Sequence, residues 1–204
     1  ELYGDLSRRV IAALYESTPD IEQYSIDEAF IQVKLPESDR DFEGFGRRLR
    51  TTILQWVGIP CGVGFAPTKT LAKIANHIGK KSPSGVFVMP DDPREVLAKL
   101  PVSEVWGVGR RLTPKLAAHG IKTAGQLADA DGAWLRKTFN VCTARTALEL
   151  RGIPAVEELD PEDAAESVSC SRSFGHPVVE LSDLTEAVAH YIAKAAEKLR
   201  DEKL

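Results

Sequence analysis

The run Tyr24-Ser25-Ile26-Asp27-Glu28-Ala29-Phe30 constrains the fold more than any other stretch of this sequence. Two adjacent carboxylates stand between two short β-prone runs, residues 21–24 and 29–33. Acids are poor strand residues, so a pair of them held against a strand end points to a role other than folding. Two carboxylates with apolar residues on both sides can hold a hard divalent cation such as Mg²⁺, which takes one or two carboxylates together with substrate phosphates. On this reading Asp27 and Glu28 are candidate catalytic and metal-binding residues of a phosphoryl or nucleotidyl transferase. The competing reading is an ordinary Asp-Glu turn in a β-hairpin.

The elements around this pair follow from periodicity. Leu6, Val10, Ala13 and Leu14 form a helical stripe within residues 2–17, which Pro19 and Asp20 end. Phe42, Phe45, Leu49, Ile53 and Trp56 recur at three- and four-residue spacing and predict an amphipathic helix over 41–57, stopped by Gly58 and Pro60. Residues 61–66 read as a strand whose two glycines mark a close approach by a ligand or another backbone. A helix over 69–78 follows with Thr68 as N-cap, then a strand over 85–89. Strands and helices in this order predict an α+β layer: an antiparallel or mixed sheet with helices on one face.

The character changes near residue 90. A short helix over 91–100 leads into helical stretches punctuated by Gly107, Gly109, Gly120, Gly125, Gly132 and Gly152, which reads as a small all-helical domain. Residues 155–165 are rich in proline and acids and read as a linker. Residues 167–174 alternate like a strand, and 181–203 carry a helical stripe at Leu184, Val188, Tyr191, Ile192, Ala195 and Leu199. One strand and one helix cannot enclose a core, so this last piece reads as the α/β start of a third domain. The chain begins at Glu1 without an initiator Met and reads as a piece of a longer protein.

Composition excludes some classes. No apolar run approaches the length that crosses a bilayer, and no signal or transit segment opens the chain. Three cysteines far apart, Cys61, Cys142 and Cys170, give no CxxC spacing and no even disulfide framework, which fits a reducing cytoplasm. The net charge of −4 gives no bulk attraction to nucleic acid. The basic residues are clustered instead, Lys69, Lys73, Lys80 and Lys81 in one stretch and Arg110, Arg111 and Lys115 in another. Basic islands on an acidic background suit a protein that grips phosphates at particular places.

The second island lies in Val105-Trp106-Gly107-Val108-Gly109-Arg110-Arg111-Leu112, followed by Leu116, Gly120 and Ile121. This spacing predicts a helix-hairpin-helix. Glycines permit a tight turn and close approach to a phosphate, and free N–H groups at the start of the next helix favour an anion. Gly107, Gly109, Arg110, Arg111 and Lys115 are therefore candidate DNA-backbone contacts, holding phosphates without reading bases. A structural Gly turn between packed helices is the alternative, and Trp106 reads as a packing residue. In the first island, Lys69 and Lys73 share a helix face at i,i+4. No GxxxxGK[ST] loop is present, and a solvated basic face remains open as a reading. His77 alone reads as a surface or packing residue.

Together these segments resemble the Y-family translesion DNA polymerases and, within them, the UmuC-type branch, the catalytic-subunit type of bacterial DNA polymerase V. The resemblance rests on Glu1-Leu2-Tyr3 with Ser7 and Val10, on YSIDEAF at 24–30 and on GVGFAPTKTLAKIANHIGKK at 62–81. It continues through LPVSEVWGVGRRL at 100–112, GIKTAGQLAD at 120–129, CSRSFG at 170–175 and the closing residues 195–200, in one order over nearly the whole chain. CSRSFG and the lysine pair after Asn76-His77 favour the UmuC branch over the DNA polymerase IV branch.

The resemblance implies a palm over 1–98, lacking its first strand and the fingers insertion, a thumb with the helix-hairpin-helix over 99–160, and a linker with the start of a little-finger domain over 161–204. It implies two-metal, Mg²⁺-dependent nucleotidyl transfer during translesion synthesis in the SOS response to DNA damage. The acidic pair falls on Asp27 and Glu28, and the triphosphate-binding lysine on Lys80. Implied partners are primer-template DNA and a deoxynucleoside triphosphate. A UmuD′-type subunit, RecA and the sliding clamp would be partners of the full-length protein. The family's further metal-binding aspartate and its steric gate are not found in this sequence, so this piece is expected to bind divalent ions weakly and to be inactive alone. A non-catalytic helix-hairpin-helix DNA-binding module of a repair protein is the alternative function. A metal-dependent nuclease is a third, though it would need more clustered acids or a histidine than the sequence supplies.

Overall fold

The computed structural model describes residues 2–36, 40–156 and 168–201. The chain divides into two compact units, Glu1–Leu159 and Asp160–Leu204.

The first unit opens with α1 (Leu2–Tyr15), whose Ala13 and Leu14 are buried. A hairpin follows, β1 (Ile21–Gln23) antiparallel to β2 (Ala29–Ile31), with Ile21 opposite Ile31 and Gln23 opposite Ala29. The acidic pair lies in the turn between them. Helix α2 (Phe42–Val57) has the predicted limits because its ends are chemically specified. The Asp41 side chain accepts the Gly44 N–H, and Gly58 adopts a left-handed φ of 78° while its N–H bonds Leu54 O.

Next comes a βαβ unit. Strand β3 (Val63–Phe65) pairs in parallel with β4 (Val86–Val88), and α3 (Lys69–Gly79) makes the crossover. Thr68 caps α3 by accepting the Leu71 N–H. The composition of the glycine strand is explained here: a Cβ on Gly64 would lie 2.1 Å from the Asn76 backbone nitrogen. The close approach anticipated for β3 is therefore by the backbone of α3.

The sheet differs from the expected single layer. Among the described residues it is two separate two-stranded sheets, β1–β2 and β3–β4. A cavity of about 1380 Å³ is bordered by residues of both β2 and β3.

Helix α4 (Arg94–Lys99), a 3₁₀ turn (Val102–Glu104), α5 (Thr113–Ala118), α6 (Ala124–Asp129), α7 (Gly132–Thr138) and α8 (Val141–Leu150) complete the unit. Two cores hold it. A small one joins Ala13 and Leu14 of α1 to Leu49 and Ile53 of α2. The larger one runs without a break from Leu71, Ile74 and Ala75 of α3 through Leu97, Leu116, Leu127 and Leu135 to Leu150 of α8. The βαβ crossover helix and the helical segment thus share one apolar interior.

The second unit contains α9 (Leu181–Asp201), close to the helix expected there. The strand expected over 167–174 is not formed: Ser167 lies outside the described residues, and 168–174 carry no strand. Alternation alone does not make a strand. It needs a partner for its N–H and C=O groups, and the described part of this unit has no second strand to supply one. Most of the expected linker, residues 157–165, lies outside the described residues.

Candidate active site and nucleic-acid interface

The hairpin turn presents both acids outward. Tyr24 N–H and Ser25 N–H both bond the Glu28 backbone oxygen at 3.0 Å, closing a loop from which Asp27 and Glu28 project. Ser25 Oγ donates to Asp27 Oδ1 at 2.8 Å. Gln23 Nε2 ties the turn to α1 by donating to Ser7 Oγ and to Ser25 O, each at 3.2 Å. Asp27 is exposed and Glu28 half-buried, and both line the large cavity. The hairpin-turn reading holds: the acidic pair lies in the turn between β1 and β2. The carboxylates sit in a turn, and the turn opens into a cleft.

Lys80 borders the same cavity from the end of α3. Its stem runs beside Gly62, where a Cβ would lie 2.6 Å from Lys80 Cγ. Asn76 Nδ2 donates to Gly62 O at 2.7 Å and fixes the strand against the helix. The fold therefore brings Asp27, Glu28 and Lys80 to one cleft from separate segments.

Lys69 and Lys73 are not merely a solvated face. Lys69 Nζ pairs with Glu22 Oε2 at 2.5 Å, and Lys73 Nζ donates to Glu28 Oε2 at 2.8 Å. Lys73 Nζ also lies 4.5 Å from the Tyr24 ring centroid and 4.9 Å from that of Trp106. Trp106 packs edge-on against Tyr24 at 5.1 Å, and its Nε1–H donates to Tyr24 Oη at 3.2 Å. The i,i+4 spacing predicted a shared face, but the sequence held no sign that this face meets the acidic hairpin.

Among the described residues no three His, Cys, Asp or Glu side chains group as a metal site. Asp27 and Glu28 bring two carboxylates to the cleft. That number suits a hard cation completed by phosphate oxygens and water, as Mg²⁺ prefers, rather than a closed structural site.

The glycine hairpin lies outside this cleft. Gly107 has a left-handed φ of 84°, so its identity is demanded by the turn. A Cβ on Gly109 would meet nothing within 4 Å, so Gly109 leaves surface open rather than relieving a clash. The second helix begins at Thr113, with Arg110 and Arg111 in the preceding turn. At six residues α5 is too short for much of a dipole. What the segment offers an anion is charge: Arg110, Arg111 and Lys115 are exposed.

His77 is a surface residue in a polar cluster, with Lys81 Nζ 2.9 Å from Nε2 and Glu104 Oε2 at 3.7 Å. Burial pushes the Cys61 thiol up from its ordinary pKa, against the pull of Arg50 and Lys80. Among the described residues no helix is long and apolar enough to cross a membrane.

Comparison with known proteins gives a consistent result. A family profile described as the impB/mucB/samB family matches residues 1–77, the IMS family HHH motif matches 90–121, and the impB/mucB/samB family C-terminal domain matches 165–204. The chain is 47% identical to Protein UmuC of Salmonella typhimurium, over 99% of this chain and 49% of that protein. It is 34% identical to DNA polymerase IV of Stenotrophomonas maltophilia, over 94% of this chain and 52% of the relative. Among solved structures, the insertion ternary complex of Dbh DNA polymerase aligns with a TM-score of 0.62 at 29% identity, covering 73% of this chain and 44% of that one. A Dbh–Dpo4–Dbh Y-family DNA polymerase chimera aligns at 0.73 with 25% identity, covering 97% and 57%. The chain spans about half the length of the curated relatives it matches.

Proposed function

The chain belongs to the impB/mucB/samB family, the UmuC-type branch of the Y-family polymerases, and from that premise we propose that it carries residues of a nucleotidyl-transfer site for error-prone translesion DNA synthesis. The observation that carries the proposal is the convergence of Asp27, Glu28 and Lys80 on one cleft.

In this reading Asp27 and Glu28 would hold Mg²⁺, the cation that takes one or two carboxylates alongside substrate phosphates. Divalent ions held there would supply the activation of a primer 3′-hydroxyl and the charge stabilisation of a departing pyrophosphate. Ser25 orients the Asp27 carboxylate through its hydroxyl. The backbone bonds from Tyr24 and Ser25 to Glu28 O fix where both acids start. Lys80 neutralises phosphate charge from the α3 side of the cleft. Residues 1–98 serve as palm, 99–160 as thumb and 161–204 as linker and little-finger start. Gly107, Gly109, Arg110, Arg111 and Lys115 hold the duplex by its phosphates. A UmuD′-type subunit, RecA and a sliding clamp are partners of the full-length protein in this reading, in the cytoplasm.

The non-catalytic DNA-binding module is disfavoured by the same cleft, because without a cation two carboxylates repel phosphate. The test is binding of a fluorescent dATP analogue with and without Mg²⁺. Mg²⁺-dependent binding that weakens in Asp27→Asn/Glu28→Gln and in Lys80→Ala is expected. Binding indifferent to both Mg²⁺ and these substitutions would overturn the proposal.

A further inference from the structure

Lys73 is a cation already seated on the carboxylate that a divalent ion needs. Its ammonium is 2.8 Å from Glu28 Oε2, with side-chain exposures of 21% for Lys73 and 39% for Glu28. On its other side stand two aromatic rings, Tyr24 and Trp106, at 4.5 and 4.9 Å. A cation near such faces is attracted by the ring quadrupole, most strongly by Trp. The ring pair is itself locked, because the Trp106 indole donates to the Tyr24 hydroxyl. The Glu28 backbone is locked as well, its carbonyl taken by two N–H groups. What can respond is the Glu28 side chain and the Lys73 ammonium.

We propose that Lys73 is a positioning residue that holds Glu28 until a divalent cation takes the carboxylate, its ammonium then staying on the Tyr24–Trp106 ring pair. The proposal rests on the reading of Asp27 and Glu28 as the cation-holding pair. It adds a competitor to that pair: like charges repel, so a dication at Glu28 must share the carboxylate with the ammonium or displace it. It also adds a route of communication. Trp106 belongs to the glycine hairpin, so a change at Glu28 reaches the turn assigned to DNA through one side chain.

The test uses the whole chain with Trp56→Phe and Trp134→Phe, leaving Trp106 as the reporter. Mn²⁺ affinity is read by electron paramagnetic resonance and Trp106 emission is followed during Mg²⁺ addition. Neutral Lys73→Met and Lys73→Gln are expected to tighten Mn²⁺ about three- to fivefold, the scale of losing one partly exposed charge pair. Both should abolish the Mg²⁺-dependent change in Trp106 emission. Lys73→Arg keeps the charge and is expected to keep the reference affinity. Unchanged or weaker Mn²⁺ binding in both neutral variants, with binding still lost in Asp27→Asn/Glu28→Gln, overturns the role of Lys73 and leaves the carboxylate reading intact. Mn²⁺ binding that survives Asp27→Asn/Glu28→Gln overturns the carboxylate reading, and this proposal with it.

Discussion

The buried carboxylate of Glu149 accepts the Thr70 backbone N–H at 3.0 Å, joining the last turn of α8 to the first turn of α3 across 79 residues of sequence. Its other oxygen accepts the N–H groups of Ala155 and Val156 at 2.7 and 3.1 Å. Thr68 Oγ1 donates to the Glu149 backbone oxygen at 2.8 Å. Glu149 is 1% exposed, so water cannot replace these bonds. Glu149→Ala leaves buried N–H groups unsatisfied and is expected to cost about 3 kcal/mol. Glu149→Gln retains one acceptor oxygen and should cost less. Urea unfolding of the two variants checks both the size and the order.

Gly64 is required by packing, not by its dihedral. Its Cβ position is 2.1 Å from the Asn76 nitrogen and 2.6 Å from the Ala72 oxygen, both backbone atoms that cannot step aside. Gly64→Ala must therefore push α3 off β3, at ~2–3 kcal/mol or more. Because α3 carries Lys73 and leads directly into Lys80, the same change should weaken Mg²⁺-dependent nucleotide binding. Thermal unfolding and nucleotide titration of this variant test the two consequences separately.

Much of the fold was legible where local chemistry decides it. Asp41 and Gly58 bracket α2, Thr68 starts α3, and the glycines at 62 and 64 announced a close approach. Pairing over distance was not legible. Nothing in the sequence near Glu149 marks it as a cap for a helix 79 residues away. The strand expected over 167–174 had the right alternation but, among the described residues, no partner strand. The site shows the same division. Asp27 and Glu28 were singled out by residue type and setting and Lys80 by the family resemblance, and the fold lines one cleft with all three. The pairing of Lys73 with Glu28 was missed, because i,i+4 spacing says which residues share a face and not what that face meets.

The hairpin offers a charge test. Arg110 and Arg111 are exposed in the turn before α5, so Arg110→Ala/Arg111→Ala is expected to weaken duplex binding. The slope of log affinity against log salt should become shallower by roughly 2, one for each phosphate no longer neutralised. Gly107→Ala should add ~1 kcal/mol of backbone strain at its positive φ, whereas Gly109→Ala should fold normally. Fluorescence anisotropy at several salt concentrations, beside unfolding curves, reads all three.

The thiols provide a pH test. The thiolate is the reactive form. Burial raises the Cys61 pKa, so the thiolate fraction at a given pH is lower and alkylation slower than for an ordinary thiol. Cys142 is exposed on α8. At about pH 8, near the ordinary thiol pKa, iodoacetamide should therefore modify Cys142 well before Cys61, and the lag at Cys61 should shrink as pH rises. Peptide mapping against time gives the order.

Iron-directed cleavage tests most directly whether Asp27 and Glu28 gather a divalent ion in the cleft. Fe²⁺ with ascorbate and peroxide cuts backbone near the bound metal, and the fragments locate it. Cuts are expected beside residues 27–28 and in the strand around 62–65 that borders the same cleft, suppressed by excess Mg²⁺ and lost in Asp27→Asn/Glu28→Gln. Cuts elsewhere in the chain, or cuts at the hairpin that persist without the two carboxylates, would contradict the assignment.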